Sequence, residues 1–400
     1  MADSAQSVHY AIMSAAGGHR LDKLRIGVIG VGGRGVLADH WRDNPRSEVV
    51  AGADISEASL EDFKSRMGDG VFTTLDYREM LDRPDIDAVA VLSPDFVHEE
   101  QAVAALDAGK HVYLEKPMAI TIEGCDRIIR AEKSFGKKLM VGHNMRCMGM
   151  FRTMKEIVDS GTIGAIKAVW VRHFVGMGGY FYYHNWHATR QNATSLLLQK
   201  GSHDIDMIHW ISGGYSKKVA AFGSLDFFGG DKPNNLDCPE CDERTTCRDV
   251  VEEGVIRCAF REEIDVEDNN LLIMELEGGI KASYMQCHFT PDYHRNYVFI
   301  GTEGTMENSE PESKVWVKTR GMNSWSKLPD RIYNIPAVRA GHGGADVLIT
   351  DQFLDMILDG KPPVASPVDG RMSVAAGCCG AESMRNGGVP IEIPPIALEV

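Results

Sequence analysis

The sequence predicts an α/β protein in two parts: a doubly wound parallel sheet, then an α+β part with a large, open, mostly antiparallel sheet. Three observations point there. Short apolar runs alternate with helical patterns from Leu24 to about residue 146, as strand–helix–strand units do. From Ala165 to about Gly301 the runs become long and β-type, with few helices between them. A chain of 400 residues also exceeds what one hydrophobic core usually serves, so two domains are expected.

Residues 1–22 are small, polar and weakly periodic, and read as a flexible tail. LRIGVIG follows as a short buried strand, GRGVLADHWRDN as a helix, SEVVAGAD as a strand, SEASLEDFKSRM as a helix and IDAVAVLS as a strand. FVHEEQAVAALDAG continues as a helix, and HVYLEK and KKLMVGH as strands. MFRTMKEIVDSG forms an amphipathic helix that ends at Gly161. AIKAVWVRHFV, KVAAFGSLDFF, NLLIMELEGGIKASYMQCHF and YVFIGTEGTM supply the second sheet. Asp346 to Asp359 and Arg371 to Arg385 return to helical pattern, and VPIEIPP closes the chain. The expected domains are therefore 23–146 and 147–400, the second carrying a cysteine-containing loop at 231–258.

With 44% hydrophobic and 25% charged residues, the composition is that of an ordinary globular protein. A formal net charge of −15 sets up a field that repels polyanions, which argues against nucleic acid and anionic membrane surfaces as partners. No stretch approaches the roughly 18 apolar residues of a membrane span, and residues 1–20 lack the basic start and apolar core of a secretion signal. A cytoplasmic location is the expectation. The nine cysteines are odd in number and scattered, which fits reduced thiols better than a disulfide framework.

Gly30-Val31-Gly32-Gly33-Arg34-Gly35 places glycines at the G-x-G-x-x-G spacing between a predicted strand and a predicted helix. Glycine suits a tight turn that a pyrophosphate approaches closely, and the following helix N-terminus offers unpaired N–H groups to the anion. Asp54 ends the second strand, where a carboxylate accepts hydrogen bonds from the adenosine ribose; its competing reading is a cap on the helix starting near Ser56. An Asp here repels a 2′-phosphate and no arginine follows closely, so NAD is favoured over NADP. The first part thus reads as a Rossmann domain. Glu115-Lys116-Pro117 follows the strand that begins HVYL at the sheet edge where ligands bind, and Lys116 there can polarise or protonate a substrate oxygen.

At this point the sequence resembles the glucose-fructose oxidoreductase / inositol dehydrogenase (Gfo/Idh/MocA) family over nearly its whole length. The matching segments are GVIGVGGRG, LSPDFVHEEQAVAALDAGKHVYLEKPMA, GHNMRCMGMFRTMKEIVDSGTIGAIKAV, KGSHDIDMIHW, FIGTEGTME and GHGGADVLITDQFLDMILDGKPPVAS. The resemblance implies an active site in the cleft between the two domains, an open sheet that mediates homo-oligomerisation as a dimer or tetramer, and a cis Lys116–Pro117 bond. It also implies that Ser93, Pro94 and His98 line the dinucleotide and that Glu115 holds the nicotinamide ribose.

Hydride transfer to NAD needs a base beside the reacting carbon. KGSHDID resembles the family's H-x-x-D helix at His203 and Asp206, making His203 the candidate base and Lys116 its partner across the cleft. Many family members carry an aspartate four residues before the histidine, where this chain has Gln199. A glutamine can orient a hydroxyl but cannot hold a proton. Asn144, also placed against the cofactor, and Arg146 are expected to touch substrate. So are His184, Trp186, His187 and Arg190 of the aromatic stretch 180–192, with His342 a further candidate.

Cys238, Cys241, Cys247 and Cys258 have a spacing that suits a structural zinc site, although reduced cysteines in a surface loop are the preferred reading. The expected function is NAD-dependent oxidation of a secondary hydroxyl of a sugar, glycoside or cyclic polyol. Two alternatives stay open: an oxidoreductive glycosidase with tightly bound NAD, and a nicotinamide-binding sensor without chemistry.

Overall fold

The computed structural model describes residues 23–251, 256–321, 326–338 and 341–397. The expectation of a tail at 1–22 lies outside them. The first sheet has six parallel strands: β1 (Leu24–Ile29), β2 (Ser47–Ala53), β3 (Phe72–Thr74), β4 (Ala88–Val91), β5 (His111–Leu114) and β6 (Leu139–Val141), in the order β3-β2-β1-β4-β5-β6. Helices cover both faces, so Leu24, Ile26, Val28, Val89 and Val91 are fully buried, and the strands read as apolar runs rather than alternations. Chain order reverses between β1 and β4, which opens a crevice at their carboxyl ends. No sequence signal announces β3, because it is three residues long, at the sheet edge, and carries no apolar run.

The second sheet has nine strands: β7 (Ile166–Phe174), β8 (Ser216–Ser224), β9 (Asn269–Leu276), β10 (Lys281–Cys287), β11 (His294–Gly301), β12 (Gly304–Ser309), β13 (Lys314–Thr319), β14 (Arg331–Asn334) and β15 (Ile391–Glu392). Its order is β14-β13-β12-β11-β7-β10-β9-β8-β15, with β7 and β10 paired in parallel and the other neighbours antiparallel. One face packs on the helices Gly149–Asp159, Gly201–Ser212 and Pro367–Arg385, through Phe151, Met154, Ile205, Ile208 and Ala376 against Met274, Tyr284, Tyr297 and Phe299. The other face is apolar and exposed: Phe222, Leu271 and Met285 form one cross-strand row, flanked by Trp170, Ile273 and Ile300.

The core does not follow the division at residue 146. Ile349, Phe353 and Leu354 of the helix Ala345–Leu358 share a cluster with Leu24, Val28, Trp41 and Tyr113 of the first sheet. The Trp41 indole N–H donates to the Thr350 carbonyl at 3.3 Å. Ala365 and Val374 join Leu114 and Val141 in the same way. The end of the chain therefore clamps the parallel sheet, a long-range arrangement that local periodicity does not encode.

Phe353 is fully buried between Trp41 and Tyr113, with ring centroids 5.9 and 5.7 Å away. Phe353→Ala is expected to lower the unfolding free energy by about 3–5 kcal/mol in urea titrations, through lost burial and the cavity left behind. A loss under about 1 kcal/mol would mean this helix is not part of the first core.

Candidate active site

The crevice at the carboxyl edge of the first sheet opens into a cavity of about 550 Å³ that runs to the helix Gly201–Ser212 of the second domain. That is within the size range of cofactor and substrate pockets. Gly30, Gly32, Gly33, Arg34 and Asp54 line it from the glycine loop and β2, Ser93, Pro94, Glu115, Lys116 and Asn144 from the turns after β4, β5 and β6, and Trp186, His187, Gln199 and His203 from the second part of the chain.

The glycine loop has the geometry its spacing implies. Gly30 has φ +81°, and a Cβ there would lie 2.7 Å from the backbone nitrogen of Ser93. A Cβ on Gly35, which is buried beneath the loop rather than facing the cavity, would lie 3.1 Å from the Gly30 carbonyl oxygen. Asp54 accepts hydrogen bonds from the backbone N–H groups of Val31 (3.0 Å), Gly32 (3.3 Å) and Ser56 (3.0 Å). The cap of helix Glu57–Met67 is Ser56, whose hydroxyl accepts from the Ser59 N–H, so Asp54 is free of that duty and reaches the cavity edge. A pyrophosphate over Gly32 and Gly33 with a ribose at Asp54 fits these residues.

Arg34 crosses the cleft floor. Its Nε and Nη2 donate to Glu115 Oε1 at 3.0 and 2.8 Å, and its Nη1 and Nη2 donate to Asp346 at 3.2 Å. Asp346 also accepts from Asn144 (3.1 Å) and sits 2.7 Å from His342 Nδ1. Burial opposes charge on Arg34, yet Glu115 and Asp346 hold it firmly protonated. Burial likewise raises Glu115, but Arg34 and Lys116 outweigh it and keep the carboxylate ionised.

The Lys116–Pro117 peptide is cis. Lys116 Nζ donates to the Gln199 carbonyl at 3.2 Å, which links the two domains across the cavity. Burial, then the charges of Lys116 and Lys200, drives His203 strongly toward the neutral imidazole, and its Nδ1 has no hydrogen-bond partner. Trp186 and His187 stack at 3.7 Å between centroids on the far wall.

Besides Gly35, four expected site residues lie elsewhere. His98 is fully buried behind the wall, its ring nitrogens 2.8 Å from the carbonyls of Pro117 and Ser93, and ties those turns together. Arg146 is buried against Asp206, donating at 2.9 and 2.6 Å, and reaches Asp369 at 3.0 Å; it fastens a loop to the helix rather than meeting substrate. Both His184 nitrogens face backbone carbonyls, those of Arg257 (2.6 Å) and Asp249 (2.7 Å). Arg190 pairs with Glu267 at 2.8 Å and is exposed. The resemblance puts His98 at the site and sequence neighbours put Arg146, His184 and Arg190 there, but an arginine or histidine beside a cleft residue can turn to a buried carboxylate or carbonyl instead.

The zinc expectation finds no ligand set. Cys238, Cys241, Cys247 and Cys258 share a cavity of about 10 Å³ with His184, but among the described residues no three His, Cys, Asp or Glu side chains are arranged to hold a metal ion. Burial keeps Cys238 and Cys258 toward the thiol form, and Cys258 Sγ accepts the Phe260 N–H at 3.4 Å.

Four cleft residues lie outside the sequence reading, the apolar Ile55 and Leu92 and the charged Asp95 and Lys200. Asp95 follows β4 in the Ser-Pro-Asp turn, at the sheet edge where ligands bind, and that position was the available signal.

Known proteins resemble this chain in sequence and in fold. Residues 24–143 match a family model described as oxidoreductase family, NAD-binding Rossmann fold, and residues 151–307 match the GFO/IDH/MocA C-terminal domain. The chain belongs to the Gfo/Idh/MocA oxidoreductases. It is similar to the oxidoreductase YteT of Bacillus subtilis, 28% identical over 342 residues, covering 74% of this chain and 78% of that protein. It is 34% identical over 193 residues to an inositol 2-dehydrogenase of Azotobacter vinelandii, which spans 47% of this chain and about half (54%) of that relative. Among solved structures, levoglucosan dehydrogenase in complex with NADH and levoglucosan shares the fold, with a TM-score of 0.77, 21% identity, and coverage of 93% of this chain and all of that one (100%).

The Arg146–Asp369 pair gives a pH-dependent expectation. Burial raises Asp369, but Arg146 and Ser366 outweigh it and lower its pKa from 3.8 to about 2. Its folded value lies below its unfolded one, so its stabilisation is full above about pH 4 and fades as pH falls towards 2. Asp369→Asn is therefore expected to cost stability at pH 6 and far less at pH 2.5 in urea titrations; equal losses at both would contradict this origin.

Proposed function

We propose that this chain oxidises a secondary hydroxyl of a sugar, glycoside or cyclic polyol with NAD as hydride acceptor. The observation that carries this reading is one continuous cavity that joins the glycine loop and Asp54 to Lys116, Gln199 and His203. The names of the relatives, inositol 2-dehydrogenase and levoglucosan dehydrogenase, support a polyhydroxylated ring as substrate. The Asp54 carboxylate, with Ile55 and Ser56 after it and no arginine, supports NAD over NADP.

Bound NAD would supply the hydride acceptor, held by Gly32, Gly33, Asp54 and Glu115. Lys116 points its ammonium at the reacting oxygen and favours the alkoxide. His203, held as neutral imidazole, accepts the hydroxyl proton on the ring nitrogen facing the cavity. Trp186 offers an apolar ring face to a sugar, and Gln199 and His187 offer polar groups to its other hydroxyls.

Purified protein with NAD and a panel of free sugars, inositols and aryl glycosides tests this reading, following NADH formation and aglycone release together. NADH formation on at least one member, falling by 100-fold or more in Lys116→Ala and His203→Ala, is the expected outcome. Aglycone release with no net NADH would replace the dehydrogenase by an oxidoreductive glycosidase. NADH binding without turnover of any member would favour a sensor.

The exposed apolar face of the second sheet supports a second copy of this chain as its cover. Trp170, Phe222 and Ile273 are each at least half exposed there, at 56%, 57% and 50%, a patch unusual for a monomer. Light scattering is expected to give a dimer or tetramer, and Ile273→Lys a smaller species; a wild-type monomer at micromolar concentration would contradict it.

A further inference from the structure

Lys116 lies at the centre of the cleft, where its charge needs an anion. The carboxylates nearby are committed elsewhere. Glu115 gives Oε1 to Arg34 and Oε2 to the Lys116 backbone N–H at 3.0 Å. Asp346 is held by Arg34, Asn144 and His342. Asp204 pairs with Arg295 at 3.2 Å and accepts from Tyr284, and Asp206 is taken by Arg146.

Asp95 is different. It is 5% exposed, it lines the same cavity as Lys116 and Gln199, and its Oδ2 has no hydrogen-bond partner. Gln199, also 5% exposed, leaves its Oε1 without a partner in the same place.

Burial and neighbouring cations both oppose the Lys116 ammonium, so an uncommitted carboxylate in the same cavity bears directly on its charge. Arg34, Arg295 and Lys200 repel its ammonium from three other elements. The imidazoles of His203, His187 and His143 also face it, and each is pushed toward the neutral form first by burial. Burial itself lowers the Lys116 pKa; Asp95 is the strongest opposing influence, ahead of Glu115. Burial also pushes the Asp95 carboxyl up to about 7, with Lys116 and the Gln199 amide pulling it back.

We propose that Asp95 is the charge partner of Lys116 in this chain. Its carboxylate enters from the turn after β4 and performs the duty that an aspartate at position 199 would perform from the second domain. Gln199 steadies that carboxylate without carrying charge. Asp95 is a positioning residue: it acts through Lys116 by keeping the lysine an ammonium. The inference rests on the functional reading above only in taking Lys116 as the group that faces the reacting oxygen.

The experiment measures the titration of Lys116 in the full-length protein, with no cofactor or substrate. Competitive acetylation by acetic anhydride across a range of pH, with Lys116 quantified by peptide mass spectrometry, reports its neutral fraction. In Asp95→Asn the Lys116 titration is expected to move down by at least about one unit, so that it acetylates roughly tenfold faster at neutral pH. The double variant Asp95→Asn/Gln199→Asp, which returns a carboxylate from the other side, is expected to restore the wild-type curve. Where Asp95→Asn does not give a cooperative melt, Asp95→Ser is used and must show the same shift.

An unmoved Lys116 titration in a folded variant would overturn the proposal, as would a shift that Gln199→Asp does not reverse. A wild-type protein inert on every sugar but with the shifted lysine would sink the functional reading and leave this one standing. A working dehydrogenase with an unmoved lysine would do the reverse.

Discussion

The cleft depends on the ion network around Arg34. That one guanidinium joins the glycine loop to Glu115 after β5 and to Asp346 at the start of the helix Ala345–Leu358. Asn144, after β6, joins through Asp346. Four segments far apart in sequence are thereby fixed around one charge. A desolvated charge is tolerable only when paired and well hydrogen-bonded, so removing any one member leaves the others exposed to that penalty. The planar fork of Arg34 makes four hydrogen bonds to two carboxylates at once, one more than the three N–H groups of a lysine could donate.

The other wall is fixed by a second buried charge. Asp204 of the helix Gly201–Ser212 accepts from the Tyr284 hydroxyl at 2.9 Å, from Tyr297, and sits 3.0 Å from His173 Nδ1, all on the second sheet. Asp206, on the same helix, is gripped by Arg146 from the loop after β6. Neighbouring helical residues point in different directions, so while Asp204 and Asp206 anchor the helix, His203 is turned to the cavity. The single group that faces the cleft is positioned by two that do not.

Much of this was legible in the sequence, for physical reasons. Parallel strands covered on both faces are apolar runs, as β4 is throughout and β1 is apart from Arg25. A loop whose Gly30 carries φ +81° against the Ser93 backbone must have glycine, and the motif announces it. What stayed hidden depends on long-range packing. The return of Phe353 to the first core, the turning of Arg146 to Asp206, and the convergence of Asp95 and Gln199 on one cavity are all set by tertiary contacts that no local period encodes. His184 shows the same limit, since a histidine in an aromatic loop can face substrate or two backbone carbonyls, and only packing decides.

The most direct measurement follows one hydrogen atom. A polyol or sugar deuterated at the carbinol carbon, incubated with the protein and NAD, should yield nicotinamide carrying deuterium at C4, with no such transfer in His203→Ala. Consumption of the labelled compound with no deuterium reaching the nicotinamide would contradict hydride transfer in this cleft.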